Sequence, residues 1–293
     1  MAHLLAQLVL NGILLGGVYS LISIGLTLIF GVTRIVNFAH GEFLMLAMYL
    51  TFWLSSLQGV DPYFSLLLVV PLLFLAGLIA HRLVIQPILG APSHMQIFVT
   101  VGLSVTMQNI ALFLWKADFR SVESFCSNSS VRVVGLICGA PKLIAFAASV
   151  LITFALHFFL KRSYLGKAIR AVVQDREAAQ LMGIDIYRIY LVTFGLGAAC
   201  VGAAGTFMMP IYTVFPTVGV YFVLTAFVVV VLGGLGSLPG AFLGGLIIGV
   251  VESLAGFFIS PQLKEAIYFV IFLGVLLVRP SGLFGQIGAE ELG

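Results

Sequence analysis

Long apolar runs separated by short polar segments make up nearly the whole chain. The runs are rich in Leu, Ala, Gly, Val and Phe and show no sustained alternation of apolar and polar positions. Alternation is typical of transmembrane barrel strands, whereas an unbroken apolar stretch of about 20 residues is typical of a helix that crosses a bilayer. The pattern predicts nine helical segments, at residues 4–30, 43–57, 63–85, 95–115, 143–160, 189–209, 218–232, 242–259 and 264–278.

The number of these segments indicates the fold class. We predict an all-α, polytopic transmembrane helical bundle with about eight to nine membrane segments. The segments at 43–57 and 218–232 are short for a complete crossing, so some segments are expected to be broken or re-entrant. Residues 1–293 are expected to form a single transmembrane domain.

The composition excludes a soluble globular protein. Hydrophobic residues make up 61% of the chain and charged residues only 9%, and the mean hydropathy is +1.18. Soluble domains have about 45–50% apolar and about 25% charged residues. The lipid bilayer is therefore the expected environment of the outer surface. The net charge of +3 is too small to suggest that the protein binds nucleic acid.

Basic residues are concentrated in the loop 161–188, which holds six of the 14 Lys and Arg residues. The positive-inside rule places such a loop in the cytoplasm. Counting crossings from this loop places the loop 116–142 and the N-terminus outside. One re-entrant segment before the basic loop would instead place the N-terminus in the cytoplasm.

The external loop contains Cys126 and Cys138. An oxidising compartment would allow them to form a disulfide that staples the loop. Two free thiols are an equal alternative, because spacing alone does not determine geometry. The third cysteine, Cys200, lies in an apolar run and is expected to be an inert packing residue.

The cytoplasmic loop contains a predicted amphipathic helix at 167–182, which Gly183 would end. The charged side of this helix has Arg170 and Arg176, and the small Ala178 allows another protein to approach closely. Docking to a partner protein is favoured over resting on lipid, because acidic residues are interspersed and large aromatic residues are missing from the apolar side. That apolar side consists of Ala168, Ala171, Val172, Ala179 and Met182.

Two polar or glycine-rich breaks interrupt the apolar pattern. Asn37, His40 and Glu42 are grouped around Gly41 between the first two segments. Asn37 can cap the next helix and Glu42 can interact with its positive end, which makes a structural role slightly favoured. The alternative is that this break lines a permeation path, or contacts a partner protein if it lies at the cytoplasmic rim. The second break has Gly233, Gly236 and Gly240. Close helix packing is the favoured explanation for them, and the alternative is that they frame a cavity on a translocation pathway.

A few further polar residues lie within apolar segments. Glu252 is expected to be satisfied by a hydrogen bond or to be protonated, with a place in a pathway as the minority interpretation. Gln108 and Asn109 are expected either to join helices or to line a pathway. The sequence has no phosphate-binding G-x-x-x-x-G-K-[ST] motif and no metal-binding or hydrolase motif.

The cytoplasmic segment resembles the corresponding loop of ABC importer permeases. Its sequence EAAQLMG at 177–183 has the E-A-A-x-x-x-G form of that family, in which the helix inserts into a groove of the ATPase subunit. The resemblance implies roles in ATPase coupling for Arg170, Arg176, Glu177, Ala178, Ala179 and Gly183.

Further motifs are similar to the LivH-type permease of branched-chain amino acid importers. They are GVYSL at 17–21, GLTLIFGV at 25–32, IVNFAHGEF at 35–43 and GGLGSLPGA at 233–241. The resemblance implies a non-catalytic pore subunit in a bacterial inner membrane, without a cofactor of its own. It also implies a LivM-type permease partner, two LivG/LivF-type ATPases that bind ATP and Mg²⁺, and a periplasmic binding protein.

Two alternatives remain at this point. A permease of the same class can carry urea, amides or other small solutes, and the apolar segments do not distinguish these substrates. A stand-alone carrier or channel is less favoured, since ion-coupled carriers are expected to have more intramembrane carboxylates.

Overall fold

The computed structural model describes residues 1–133, 135–279 and 282–284. Within these residues the chain forms eleven α-helices and one β-hairpin. Their bounds are α1 (Ala2–Thr33), α2 (His40–Gln58), α3 (Leu66–Ala80), α4 (Ser93–Trp115), β1 (Ser130–Val133), β2 (Leu136–Gly139), α5 (Ala140–Arg162), α6 (Tyr164–Gln174), α7 (Arg176–Leu181), α8 (Ile186–Met208), α9 (Val218–Gly233), α10 (Leu238–Phe258) and α11 (Lys264–Val278).

Helices form at all nine predicted positions. In the described part of the chain, six of them are long and apolar enough to cross a membrane. These are Ala2–Thr33, Leu66–Ile88, Ser93–Trp115, Ala140–Arg162, Ile186–Met208 and Leu238–Phe258, where the third helix continues through a π-helical and a 3-10 turn to Ile88. The protein is therefore a helical multi-pass membrane protein, and the count of eight to nine membrane segments, some broken or re-entrant, stays a prediction.

Helix α1 lies at the centre of the bundle and packs most extensively against α10. Both helices have two glycines four residues apart at the crossing: Gly12 and Gly16 in α1, Gly245 and Gly249 in α10. A Cβ atom added to Gly16 would lie 2.6 Å from the carbonyl oxygen of Gly245. Small residues at this spacing allow two helix backbones to touch, which is a common way of joining helices in lipid.

Large apolar side chains cover the periphery of the bundle. Phe113 of α4, Leu151 of α5 and Leu277 of α11 are 87%, 71% and 86% exposed. A continuous apolar exterior of this kind is stable only against lipid or another apolar protein surface.

The loops gather at two ends of the bundle. At the first, which we call the hairpin end, the N-terminus meets the β-hairpin: the amide of Gln7 donates to the Ile137 carbonyl at 2.7 Å. The segments after α2 and α8 also reach this end. Asp61 accepts a hydrogen bond from the Phe125 backbone at 2.9 Å, and Arg120 pairs with Val214. The opposite end carries α6 and α7, and we call it the basic end.

The loop 116–142 contains regular structure that the sequence did not predict. Strands β1 and β2 pair antiparallel within it, so the fold is not purely helical. Cys138 belongs to β2 and Cys126 lies against the Tyr63 hydroxyl, 3.6 Å from its oxygen. Both cysteines are buried free thiols in the structure, and the disulfide between them stays a hypothesis.

Candidate functional site

The predicted amphipathic helix at 167–182 consists of two helices in the structure. Asp175 interrupts it by leaving the helical conformation, and its Oδ1 accepts a hydrogen bond from the Ala178 backbone at 2.9 Å to begin α7. An Asp at this position stabilises a new helix start better than a helix interior, which explains the break. Gly183 ends the second helix with a φ of +83°, as predicted.

One face of this helix pair packs onto the bundle. Ala168, Val172 and Ala179 are buried, and α6 contacts both α5 and α8. Met182 was predicted on the same face, but it is 83% exposed beside Leu181, which is 88% exposed. The prediction for Met182 is wrong because the break at Asp175 turns α7 away from the direction of α6.

The outward face of α7 is a compact projecting surface. Arg176, Glu177 and Ala178 are exposed, and the apolar pair Leu181 and Met182 extends this face. Exposed apolar side chains surrounded by charged residues are typical of a site that another protein covers.

A cavity of about 930 Å³ lies beside this helix pair at the basic end. Its wall includes Gly236 and the positive side chains of Arg34, Lys161 and Arg170. Arg170 and Gly236, which the sequence placed in separate motifs, therefore share one cavity.

The break at 34–39 returns the chain into the bundle. His40, the first residue of α2, is hydrogen-bonded through Nε2 to the Ile22 carbonyl at 3.0 Å. Ile22 precedes the end of α1 by about three turns, or roughly 16 Å along the helix axis. The Val36 carbonyl accepts a hydrogen bond from Thr100 at 3.0 Å, which holds this returning segment against α4. Helix α2 therefore begins well inside the bundle.

The polar residues of this break are buried and mostly serve its structure. Asn37 does not cap α2 itself; its Oδ1 accepts from the Ala39 backbone at 3.1 Å, just before the helix. Glu42 lies in the first turn of α2, as predicted, and its Oε1 accepts hydrogen bonds from Ser104 at 3.0 Å and Gln108 at 2.9 Å. Gln108 thus joins helices α2 and α4.

Helices α2 and α9 start beside each other and run to opposite ends. A Cβ atom on Gly41 would overlap the Gly219 carbonyl oxygen, so both positions require glycine for the approach. The carboxylate of Glu42 is close to Gly219 and therefore lies near the N-termini of both helices, which favour negative charge.

The second predicted break joins α9 to α10. Added Cβ atoms on Gly233 and Gly240 would each overlap the other residue's carbonyl oxygen. Gly236 has a φ of +83° and forms the turn between the two helices. The glycines of this motif are therefore explained by backbone approach and turn geometry.

Glu252 has a partner that the sequence analysis missed. Its carboxylate pairs with Lys264, the first residue of α11. A glutamate within an apolar run needs a nearby cation or a proton. The position of Lys264, just beyond the short loop that follows α10, is the sequence feature that could have predicted this pair. Among the described residues, no cluster of three or more His, Cys, Asp or Glu suits a metal ion.

Taken together, the architecture is that of a multi-pass membrane permease: apolar helices broken inside the bundle, with a protruding helix pair at the basic end. Comparison with known proteins makes this more specific. The family described as branched-chain amino acid transport system / permease component matches residues 8–276.

Three relatives illustrate the match. The chain is 32% identical to the high-affinity branched-chain amino acid transport permease BraD of Pseudomonas aeruginosa, over 99% of this chain and 98% of that protein. It is 31% identical to LivH of Escherichia coli K12, over 98% and 97% of the two chains. A probable LivM permease of Methanocaldococcus jannaschii is 22% identical over 92% and 91%. No solved structure matches the chain.

The chain therefore belongs to the permease component family of branched-chain amino acid transport systems.

Proposed function

We propose that this chain is a transmembrane permease subunit of an ATP-binding-cassette importer that moves branched-chain amino acids across the bacterial inner membrane. The observation that carries the proposal is the similarity over nearly the full length to LivH and BraD, which are named as permeases of this transport. The exposed surface of α7 adds physical support, because a subunit without its own ATPase needs a place to receive mechanical work.

Helices α6 and α7 are the proposed coupling element. Glu177 and Ala178 would face a groove in the ATPase, while the buried Ala179 anchors α7 to the bundle. Arg170 and Arg176 flank this surface, and Gly183 provides the turn into α8. Because α6 contacts α5 and α8, closure of the ATPases would tilt these helices and change the access to the bundle interior.

The remaining subunits of the importer are inferred from the family. A LivM-type permease would complete the pore, two LivG/LivF-type ATPases would bind ATP and Mg²⁺, and a periplasmic protein would deliver the amino acid. The chain itself would be non-catalytic, consistent with the lack of a phosphate-binding loop in its sequence. Its broad exposed apolar surfaces would contact both lipid and the second permease.

The two helix breaks have a positioning role in this proposal. Asn37, His40, Gly41 and Glu42 would hold the inner start of α2 against α9, and Gly233 and Gly240 would hold α9 against α10. Alternating access needs such rigid joints inside the membrane, so that helices move as units. Gly236 would line the inner mouth of the path. We also propose eight to nine membrane segments, some of them broken or re-entrant, as the topology.

The test is transport by a reconstituted system. Proteoliposomes containing this chain, the second permease and both ATPases are expected to take up radiolabelled leucine only when ATP and the binding protein are present. Omitting the ATPases is the control and should reduce uptake to background. Uptake by the chain alone without ATP, or uptake of urea or amides with no uptake of leucine, would contradict the proposal.

A further inference from the structure

A cavity of about 240 Å³ lies near the hairpin end, away from the coupling helices. It is bounded by α1, the segment 209–217, α9, α10 and α11. Its wall combines the ion pair of Glu252 and Lys264, the exposed carboxylate Glu265 and many aromatic side chains. The aromatic residues are Tyr19, Tyr212, Phe215, Tyr221, Phe222 and Tyr268.

The ion pair in this cavity is asymmetric. Lys264 Nζ lies 2.5 Å from Glu252 Oε1, but the glutamate side chain is 6% exposed and the lysine side chain 35%. Glu252 is fixed within α10, whereas Lys264 is the first residue of α11 and reaches in from the rim. The buried carboxylate therefore needs a cation, and the flexible lysine can move aside when another cation arrives.

We propose that this cavity binds a free zwitterionic α-amino acid, with Glu252 accepting its ammonium group and Lys264 pairing with its carboxylate. This inference rests on the proposed function and locates a substrate site within it. A zwitterion inserted between the two side chains gives each of them an opposite charge, so no charge is buried without a partner. A purely anionic solute that drew Lys264 away would leave the buried Glu252 carboxylate without a cation.

The rest of the wall suits the hydrocarbon part of an amino acid. Val218 and Phe222 provide apolar surface, and the tyrosine rings can lie against an ammonium group through cation–π contact. The Tyr268 hydroxyl is hydrogen-bonded to Thr225 at 3.1 Å, which fixes that ring. Pockets for drug-sized ligands hold about 300–1,000 Å³, so the observed volume matches a solute as small as a free amino acid.

The position of the cavity fits an entry site. It is near the end that carries the N-terminus and the hairpin, opposite α6 and α7, and is therefore external in the proposed orientation. Tyr212 lies in the short segment between α8 and α9, where burial and the nearby Glu252 carboxylate raise its pKa to about 12. A tyrosine is neutral at physiological pH even without this shift, and its hydroxyl can donate a hydrogen bond to the amino acid.

The experiment measures leucine binding to the complete transporter in nanodiscs, without ATP or binding protein. Radiolabelled leucine is expected to bind saturably to the wild type. Glu252→Gln and Lys264→Gln should each weaken binding at least tenfold, because each removes a charge-assisted interaction. Leucinamide lacks the carboxylate, so Lys264→Gln should not weaken its binding and should strengthen it, because the lysine no longer competes for Glu252. Glu123→Gln removes an exposed carboxylate in the 116–142 loop and is the matched control.

A double variant separates binding from a purely structural ion pair. Each single variant leaves one charge of the ion pair without its partner and should therefore lower the melting temperature. Glu252→Gln combined with Lys264→Gln removes both charges, so the double variant should regain the lost thermal stability while its leucine binding stays weak. Recovery of binding in the double variant, or no saturable leucine binding by the wild type, would overturn the inference. ATP-dependent leucine uptake is measured in parallel. If the wild type takes up leucine but Glu252→Gln leaves leucine binding unchanged, this inference alone is overturned. If the wild type takes up no leucine, the result counts against the proposed function.

Discussion

Replacing Gly16 by alanine tests whether the contact between α1 and α10 holds the bundle together. The added Cβ would lie 2.6 Å from the Gly245 carbonyl oxygen and 2.8 Å from the Leu246 Cα atom. Both are backbone atoms, so no side-chain rotation can relieve the contact, and the two helices must separate. The control is Gly102→Ala in α4, where an added Cβ meets no heavy atom within 4 Å.

The expected difference between the two variants can be worked out from these contacts. Both gain similarly from the better helix propensity of alanine, up to about 1 kcal/mol, so this contribution cancels. Overpacking at Gly16 costs about 1–3 kcal/mol. Separation of the helices also stretches the hydrogen bond from Ser20 to the Phe242 carbonyl, now 2.7 Å long, which contributes about 1 kcal/mol. Gly16→Ala should therefore be about 2–4 kcal/mol less stable than Gly102→Ala.

Thermal unfolding of the detergent-solubilised chain measures this difference. For a protein of this size, we expect the melting temperature of Gly16→Ala to be on the order of 5–10 °C below that of Gly102→Ala. Equal melting temperatures would show that the α1 and α10 backbones do not touch as described, and would refute the reasoning.

The other predictions concern the inner break, the coupling surface and the topology. Glu42→Gln keeps an acceptor for Ser104 and Gln108 and should melt near the wild type. Glu42→Leu leaves the Ser104 hydroxyl without this acceptor and Gln108 with only its bond to Ser104, which should cost about 1–3 kcal/mol; similar melting of the two variants would count against the network. Ala178→Asp changes an exposed position, so it should leave the melting temperature unchanged. It should reduce ATP-dependent leucine uptake at least tenfold because the larger charged side chain disturbs docking to the ATPase, and normal uptake would exclude α7 from coupling. A cysteine at Gln174 should resist membrane-impermeant thiol reagents in intact cells and react in inverted vesicles, and labelling of intact cells would reverse the proposed topology.

The sequence alone determined much of the secondary structure. Apolar runs of sufficient length predict membrane helices because backbone groups in lipid must be paired within the segment, and helices are found at all nine predicted positions. Gly183 was predicted to stop a helix because glycine adopts positive φ without steric cost. These features depend on local chemistry, so neighbouring residues suffice to predict them.

Tertiary structure decided which polar residues meet. The sequence places Gln108 and Glu42 in separate segments, and only the packing of α2 against α4 makes them partners. The pairing of Lys264 with Glu252 and the approach of Gly41 to Gly219 likewise depend on where helices begin and cross. An isolated apolar run does not reveal which of its faces meets protein and which meets lipid, because both surroundings are apolar; only the packed bundle distinguishes them.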